Sequence, residues 1–251
     1  MTNLEQTQLD HLQLERLADQ FQALSPEGRN VIMREALLVD AKVRLPAGNI
    51  IAAGASLEDY MEHYAADHCE WVEGYVIKMS PSSIEHTDLL KYLVHLLDAF
   101  FEFRSIGRLI VQPFVLRLPA FPKRRREPDL LVVLNSNPHK IERTFMDGPA
   151  DICIEIVSEE SVERDHGDKF KEYEQGGVPE YWILDPLRNE ARFYRLNDEG
   201  RYVRQTENAQ GNYYTPALPA LALHVPTLWQ EKFPGPGATA STIQAMLADQ
   251  N

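Results

Sequence analysis

Two carboxylates stand where strand cores ordinarily carry Val or Leu. Asp129 opens the run Pro128-Asp129-Leu130-Leu131-Val132-Val133-Leu134, and Glu155 lies inside Asp151-Ile152-Cys153-Ile154-Glu155-Ile156-Val157-Ser158. A charge on a buried strand is costly unless it is paired, neutralised or bound to a metal. Alternate residues of a strand share a face, so Glu155 points with Cys153 and Val157. If the two runs are neighbours, Asp129 and Glu155 converge at one end of a sheet. Hard oxygen ligands with room for water suit Mg2+ or Mn2+ better than zinc. Downstream, Asp165, Lys169 and Tyr173 recur every fourth residue and line one helix face, with Lys171 turned roughly opposite. Alone, Asp165–Lys169 reads as an ordinary helix ion pair. With two strand carboxylates upstream, Lys169 is better explained as a cation aimed at a phosphate or an attacking water. Asp165 is also placed to cap this helix, with Asp168 as a box-like partner. The run Lys123-Arg124-Arg125-Arg126 directly precedes the first strand. Such a run is usually a solvated loop, but here it is a candidate for steering phosphate toward the site.

Residues of this kind need a sheet to carry them and a helix to back it. The segment from Ile84 to Arg104 supplies the helix: Leu89, Leu93, Leu96, Leu97, Phe100 and Phe101 belong to a wide apolar face that must be buried. Glu70 to Ile77 predicts two strands turning near Gly74. Gly107 to Leu118 predicts a strand bent at Pro113, and Asn135 to Pro149 a long loop or flap. The run Glu180 to Asp185 is a further strand, with Tyr181 and Trp182 packing the sheet. Arg192–Leu196 and Arg201–Arg204 flank Asn197–Gly200 as a hairpin. Leu218 to Trp229 is apolar and covers one end of the sheet. Ser56-Leu57-Glu58-Asp59 opens a helix with a near capping box. Ahead of it, Leu14, Leu17, Phe21 and Leu24 form an amphipathic stripe, and Ser25-Pro26-Glu27 starts a second helix. These helices either pack on the main domain or pair with a second copy. A loop or linker over Leu45–Asn49 and Ala52–Ala55 follows them. The chain therefore divides into an N-terminal helical extension (1–50), a main domain (56–232) and a C-terminal tail with a short helix (233–251).

Composition narrows the class. The 251 residues are 44% hydrophobic and 25% charged, as in globular proteins that bury a real core. The net charge of -13 argues against broad attraction to nucleic acid or to an anionic membrane, leaving room only for a local basic patch. The two cysteines, Cys69 and Cys153, form no zinc signature, and Cys153 reads as a small strand hydrophobe. No apolar signal core or membrane-length segment is present, which gives a cytoplasmic expectation.

The order Pro128-Asp129, Glu155, then a lysine resembles the PD-(D/E)xK nuclease superfamily. The fuller string is more specific. Arg126-Glu127-Pro128-Asp129, Gly148 to Ser158, Asp165, Lys169 and Tyr173, and Gly177 to Pro186 resemble the Uma-type family of restriction endonucleases. Glu70-Trp71-Val72-Glu73-Gly74, Met79-Ser80-Pro81 and His86 fit its opening segment. The resemblance runs from about Leu57 to about Trp229. Val157 occupies the superfamily's usual lysine position, and the resemblance moves that lysine to Lys169. It implies an α/β (α+β) fold, a restriction-endonuclease-like mixed β-sheet flanked by helices. It also implies a Mg2+- or Mn2+-dependent endonuclease acting on nucleic acid, with DNA favoured, and working as a homodimer. Asp129, Glu155 and the Ile156 carbonyl would hold the metal, and Lys169 would orient the attacking water. Glu70 would hold a metal-bound water or second ion, and His86 would contact phosphate or protonate the leaving group. Glu73, Asp165 and Tyr173 would support them from behind. Two other classes stay open: an inactive nuclease-fold protein acting as a nucleic-acid-binding or regulatory dimer, and a two-carboxylate hydrolase such as a glycosidase.

Overall fold

The computed structural model describes residues 48–248, together with Ala23 and Pro46. The stripe Leu14–Leu24 and the second N-terminal helix, and with them the expected pairing surface, lie outside the described residues. The linker region differs from expectation, because Asn49–Ala52 forms strand β1 and pairs antiparallel with β3.

The elements follow in chain order. Helix α1 (Leu57–His63) starts at Ser56, where both bonds of a capping box form with Asp59. Strands β2 (Cys69–Val72) and β3 (Tyr75–Lys78) are an antiparallel hairpin. Its two-residue turn puts Glu73 at φ 54° and Gly74 at φ 92°, the left-handed geometry that matches strand twist. Helix α2 (Ile84–Phe103) is capped by Ser83, whose hydroxyl accepts from the His86 N–H. The predicted bent strand is two strands, β4 (Gly107–Val111) and β5 (Val115–Arg117), separated at Pro113 and entering different sheets. There follow β6 (Arg124–Arg125) and β7 (Leu130–Leu134). The expected flap at 135–149 is instead a short hairpin, β8 (Lys140–Ile141) and β9 (Phe145–Asp147), with β9 pairing β5 in parallel. Strand β10 (Ile152–Ile156) leads to a π-helical turn (Arg164–Asp168) that runs straight into α3 (Lys169–Gln175). Strands β11 (Glu180–Asp185), β12 (Glu190–Leu196) and β13 (Tyr202–Gln205) complete the main sheet, with β12–β13 the predicted hairpin. Short strands β14 (Asn212–Tyr213) and β15 (Leu223–His224) precede α4 (Pro236–Ala248).

The main sheet has the order β13-β12-β11-β10-β7-β4. It is mixed, since β10 runs parallel to β11 and antiparallel to β7. The strict alternation of its central strands builds two cores. Leu130, Val132, Ile152, Ile154 and Ile156 face α2, where they pack with Leu89, Leu93, Leu97 and Phe100. Ile243 and Leu247 of α4 join that core, as do Leu218, Leu221 and Leu228, so the C-terminal segment is a layer of the domain and not a loose tail. Leu131, Val133, Cys153, Val157, Tyr181 and Ile183 face the other way, toward Tyr173 of α3. Glu155 shares that second face. Burial on both sides explains why β7 and β10 read as continuous apolar runs. The β2–β3 hairpin, flanked by β1 and β6, forms a separate four-stranded sheet that brings Glu70 in beside α3.

Candidate active site

Register fixes the two strand carboxylates. Ile154 pairs with Leu130, so Glu155 on β10 and Asp129 at the mouth of β7 meet at the same end of the sheet. Asp129 Oδ2 accepts the Ile156 N–H at 2.7 Å, closing the ladder with a side chain where the strand has run out. Its Oδ1 accepts from Gln112 Nε2 at 2.7 Å and lies 3.2 Å from His86 Nε2. His86, one turn into α2, is 6% exposed, so the helix delivers the ring to the sheet end from above.

From the opposite face comes Lys169. The π-helical turn ends with the Lys169 N–H bonded to the Arg164 carbonyl, five residues back, a widened turn of the kind found at functional sites. The lysine is 0% exposed. Its Nζ lies 2.9 Å from Glu155 Oε1, 3.1 Å from Glu70 Oε1 and 3.3 Å from Asp165 Oδ1. Tyr173, one turn on, donates its hydroxyl to the same Glu155 oxygen at 2.8 Å. Lys171 is exposed and points away. The ion set continues behind Glu70. Arg126 Nη1 donates to Glu70 Oε2 at 2.6 Å, and its Nε and Nη2 fork onto Glu172 at 2.8 and 2.6 Å. Charges of alternating sign thus run from Glu172 through Arg126, Glu70 and Lys169 to Glu155, all of them buried.

The electrostatics follow from that order. Burial would raise the Glu70 carboxyl, but Lys169, Arg126 and Arg164 outweigh it and hold the group well below the usual carboxylate range. Burial opposes charge on Lys169, yet Glu155, Glu70 and Asp165 raise its pKa, so it stays an ammonium ion. Glu155 is pushed upward by burial and, despite Lys169, by the nearby charges of Asp165, Asp129 and Glu70. For His86, burial disfavours the charge, but Asp129 beside it prevails and raises its pKa. Glu127 is pushed up to about 8 by burial and by the Glu70 charge.

A cavity of about 450 Å3 opens at this sheet end, with His86, Gln112, Glu127, Asp129, Glu155 and Lys169 in its wall. Among the described residues, no group of three or more His, Cys, Asp or Glu side chains is gathered as a ready cation cage. The donors on the cavity wall nevertheless fit a small divalent cation that keeps several waters. Asp129 and Glu155 supply hard oxygen, Ile156 also lines the wall, and the volume leaves space for water ligands.

Several residues have surroundings other than those expected from the sequence. Glu70 does not face the cavity. It is 0% exposed, and its oxygens are engaged by Arg126 and Lys169, a setting different from the cavity-facing one expected of it. Asp165 does not cap a helix, because it lies inside the π-helical turn and approaches Lys169, and the Asp165–Asp168 box is not formed. The basic run is not exposed as a whole, as a phosphate-facing patch would be. Arg125 and Arg126 are buried, with Arg125 over the Trp71 ring. Arg124 is held by Glu73 and Glu172, and Lys123 alone of the four is exposed. Glu73 sits at the exposed hairpin turn and reaches the site only through Arg124. Gln112, Glu127 and Glu172 carry contacts in or behind the site that had no role assigned from the sequence. Only Glu127, a charge inside Arg126-Glu127-Pro128-Asp129 at the entrance to an apolar strand, left a signal that could have been followed.

Comparison with known proteins gives two findings. Residues 57–226 match the family model Uma2, described as "Putative restriction endonuclease". The solved structure of a putative nuclease belonging to DUF820, from Anabaena variabilis ATCC 29413, superimposes with a TM-score of 0.58 at 16% sequence identity. That match covers 69% of this chain and 97% of the other. At that identity the likeness bears on fold alone. No protein among the curated ones matches.

Proposed function

Because this chain belongs to the Uma2 restriction-endonuclease family, we propose that it is a divalent-metal-dependent endonuclease that hydrolyses nucleic-acid phosphodiester bonds, DNA foremost. The observation that carries this reading is the meeting of Asp129, Glu155 and Lys169 at one cavity, with the ammonium 2.9 Å from Glu155 Oε1. A glycosidase is disfavoured, because the second carboxylate is already matched to a lysine.

Asp129 and Glu155, with the Ile156 carbonyl, would hold Mg2+ or Mn2+. When bound, such an ion polarises a phosphoryl oxygen and makes a ligated water more acidic. The remaining work falls to the chain. Lys169, fixed by three carboxylates, presents one charge toward the cavity, where it orients the attacking water or stabilises charge growing on phosphorus-bound oxygen. Tyr173 and Lys169 together hold one Glu155 oxygen, which leaves the other to turn toward the cavity. His86, whose pKa Asp129 raises against the effect of burial, would donate a proton to the leaving oxygen.

The inactive-scaffold reading is favoured by one observation, the withdrawal of Arg125 and Arg126 from the surface of an already acidic protein. A cleavage assay with Mg2+ or Mn2+ on single- and double-stranded DNA and RNA separates the two. Cleavage by the wild type that is lost in Glu155→Ala supports the enzyme. Binding without cleavage in either metal supports the scaffold.

A further inference from the structure

We infer that Arg126 is a positioning residue for Lys169, acting through Glu70 and Glu172, and not a contact to nucleic acid. The inference rests on the nuclease reading for its kinetic consequences, and on geometry alone for the placement itself.

Arg126 is 2% exposed. Its guanidinium makes three charge-assisted hydrogen bonds, one to Glu70 Oε2 at 2.6 Å and two to Glu172 at 2.6 and 2.8 Å. The fork matters, because a planar guanidinium fixes both acceptors at once. Each acceptor controls Lys169 by a different route. Glu70 offers its second oxygen to the ammonium at 3.1 Å. Glu172 lies on α3 one turn beyond Lys169, so tying it to Arg126 fixes the helix that carries the lysine. The lysine stem is long and has many rotamers, and without Glu70 its ammonium would be held only by Glu155 and by Asp165, which lies on its own helical segment. Anchoring both the backbone and one carboxylate partner removes that freedom. Neither Arg126 nor Glu172 lines the cavity, so neither can touch a substrate there.

A lysine at position 126 keeps the charge but cannot fork between two carboxylates. We therefore expect Arg126→Lys to lower kcat on a DNA substrate by ~30-fold or more while KM stays within ~2-fold. In a Lys169→Met background the same change should add no more than ~2-fold, because its route of action is gone. The readout independent of turnover is the 15N–1H signal of the Lys169 side-chain ammonium in the folded protein. It should be sharp and protected in the wild type, then shifted and broadened by exchange in Arg126→Lys. If that variant does not fold, Glu172→Gln, which keeps volume and polarity, carries the same three measurements. A raised KM with unchanged kcat would make Arg126 a nucleic-acid contact and overturn the inference, as would additive losses in the double variant. Should the wild type cleave no nucleic acid, the nuclease reading fails by itself. The ammonium signal then decides: a shifted signal supports positioning, and an unmoved one in a folded variant overturns it.

Discussion

Lys169 and Glu155 touch across the interface between α3 and the sheet, Nζ to Oε1 at 2.9 Å, with the lysine wholly shielded from water. A buried ion pair of this kind is a poor stabiliser in itself, because desolvating both groups offsets most of their attraction. Breaking it from one side is another matter. Lys169→Met preserves the stem but leaves Glu70, Glu155 and Asp165 facing one another without a cation. We expect a lower unfolding free energy by about 3 kcal/mol and a fall in turnover of ~100-fold or more. Lys171→Met, on the exposed side of the same helix, should change neither by a measurable amount. Urea unfolding and single-turnover cleavage of both variants make the check. Equal loss in the two would refute a specific role for the buried lysine.

The pH dependence of cleavage should be bell-shaped, with each limb owned by a different residue. Glu155 must be ionised to serve as a ligand, and its pKa is raised, so activity climbs with pH above the ordinary carboxylate range. His86 must be protonated to donate, and its pKa is raised by Asp129, so activity falls again at alkaline pH. Lys169 stays charged throughout and shapes neither limb. In His86→Gln the alkaline limb should disappear while the acid limb remains. An unchanged profile in that variant would remove His86 from the proton-transfer step. Mn2+ binding by calorimetry should weaken at acid pH alongside the acid limb and be lost in Glu155→Ala.

How much of this was legible follows from distance along the chain. The apolar runs of β7 and β10, each carrying one carboxylate, are local and mark Asp129 and Glu155 as strand residues. That the two strands are neighbours was only a condition in the sequence and comes from the Ile154–Leu130 register. The α2 face and the Ser56 capping box are equally local. Lys169, Asp165 and Tyr173 lie on one turn-spaced face, so their convergence could be read off the spacing. The fate of the arginines could not. Arg126 finds its partners 56 and 46 residues away, at Glu70 and Glu172, so a run that reads as a solvated cation patch is drawn inside. The π-helical turn was also hidden, because one extra residue per turn leaves no mark in an i, i+4 pattern. Short strands such as β1, β8 and β9 depend on partners for their hydrogen bonds and carry no period of their own.

The C-terminal helix should be needed for the fold. Ile243 is 0% exposed and belongs to the core between α2 and the sheet, although α4 begins well after the last strand of that sheet. Ile243→Ala should lower stability by roughly 2–4 kcal/mol through lost burial and a partly unfilled cavity. A chemical denaturation midpoint unchanged in this variant would show that α4 is dispensable cover.

Glu127 provides the last test, and its sign is opposite to that of the salt-bridged acid Glu70. Its carboxyl is 2% exposed, accepts from Tyr60 Oη at 3.2 Å, and is raised to about 8 by burial and by the neighbouring Glu70 charge. The folded protein therefore keeps a proton there that the unfolded chain releases near the ordinary glutamate value of 4.5. Stability from this group is fully present below the unfolded pKa. It declines as pH rises through the interval up to the folded one, at about 1.4 kcal/mol per unit at most. Glu127→Gln carries no titrating proton and retains an acceptor for Tyr60. The difference in unfolding free energy, wild type minus variant, should fall by a few kcal/mol between pH 5 and pH 8.5, leaving the variant relatively more stable in alkali. Parallel stability curves for the two proteins across that range would show that Glu127 is ionised in the folded state, and that the Glu70 charge does not reach it.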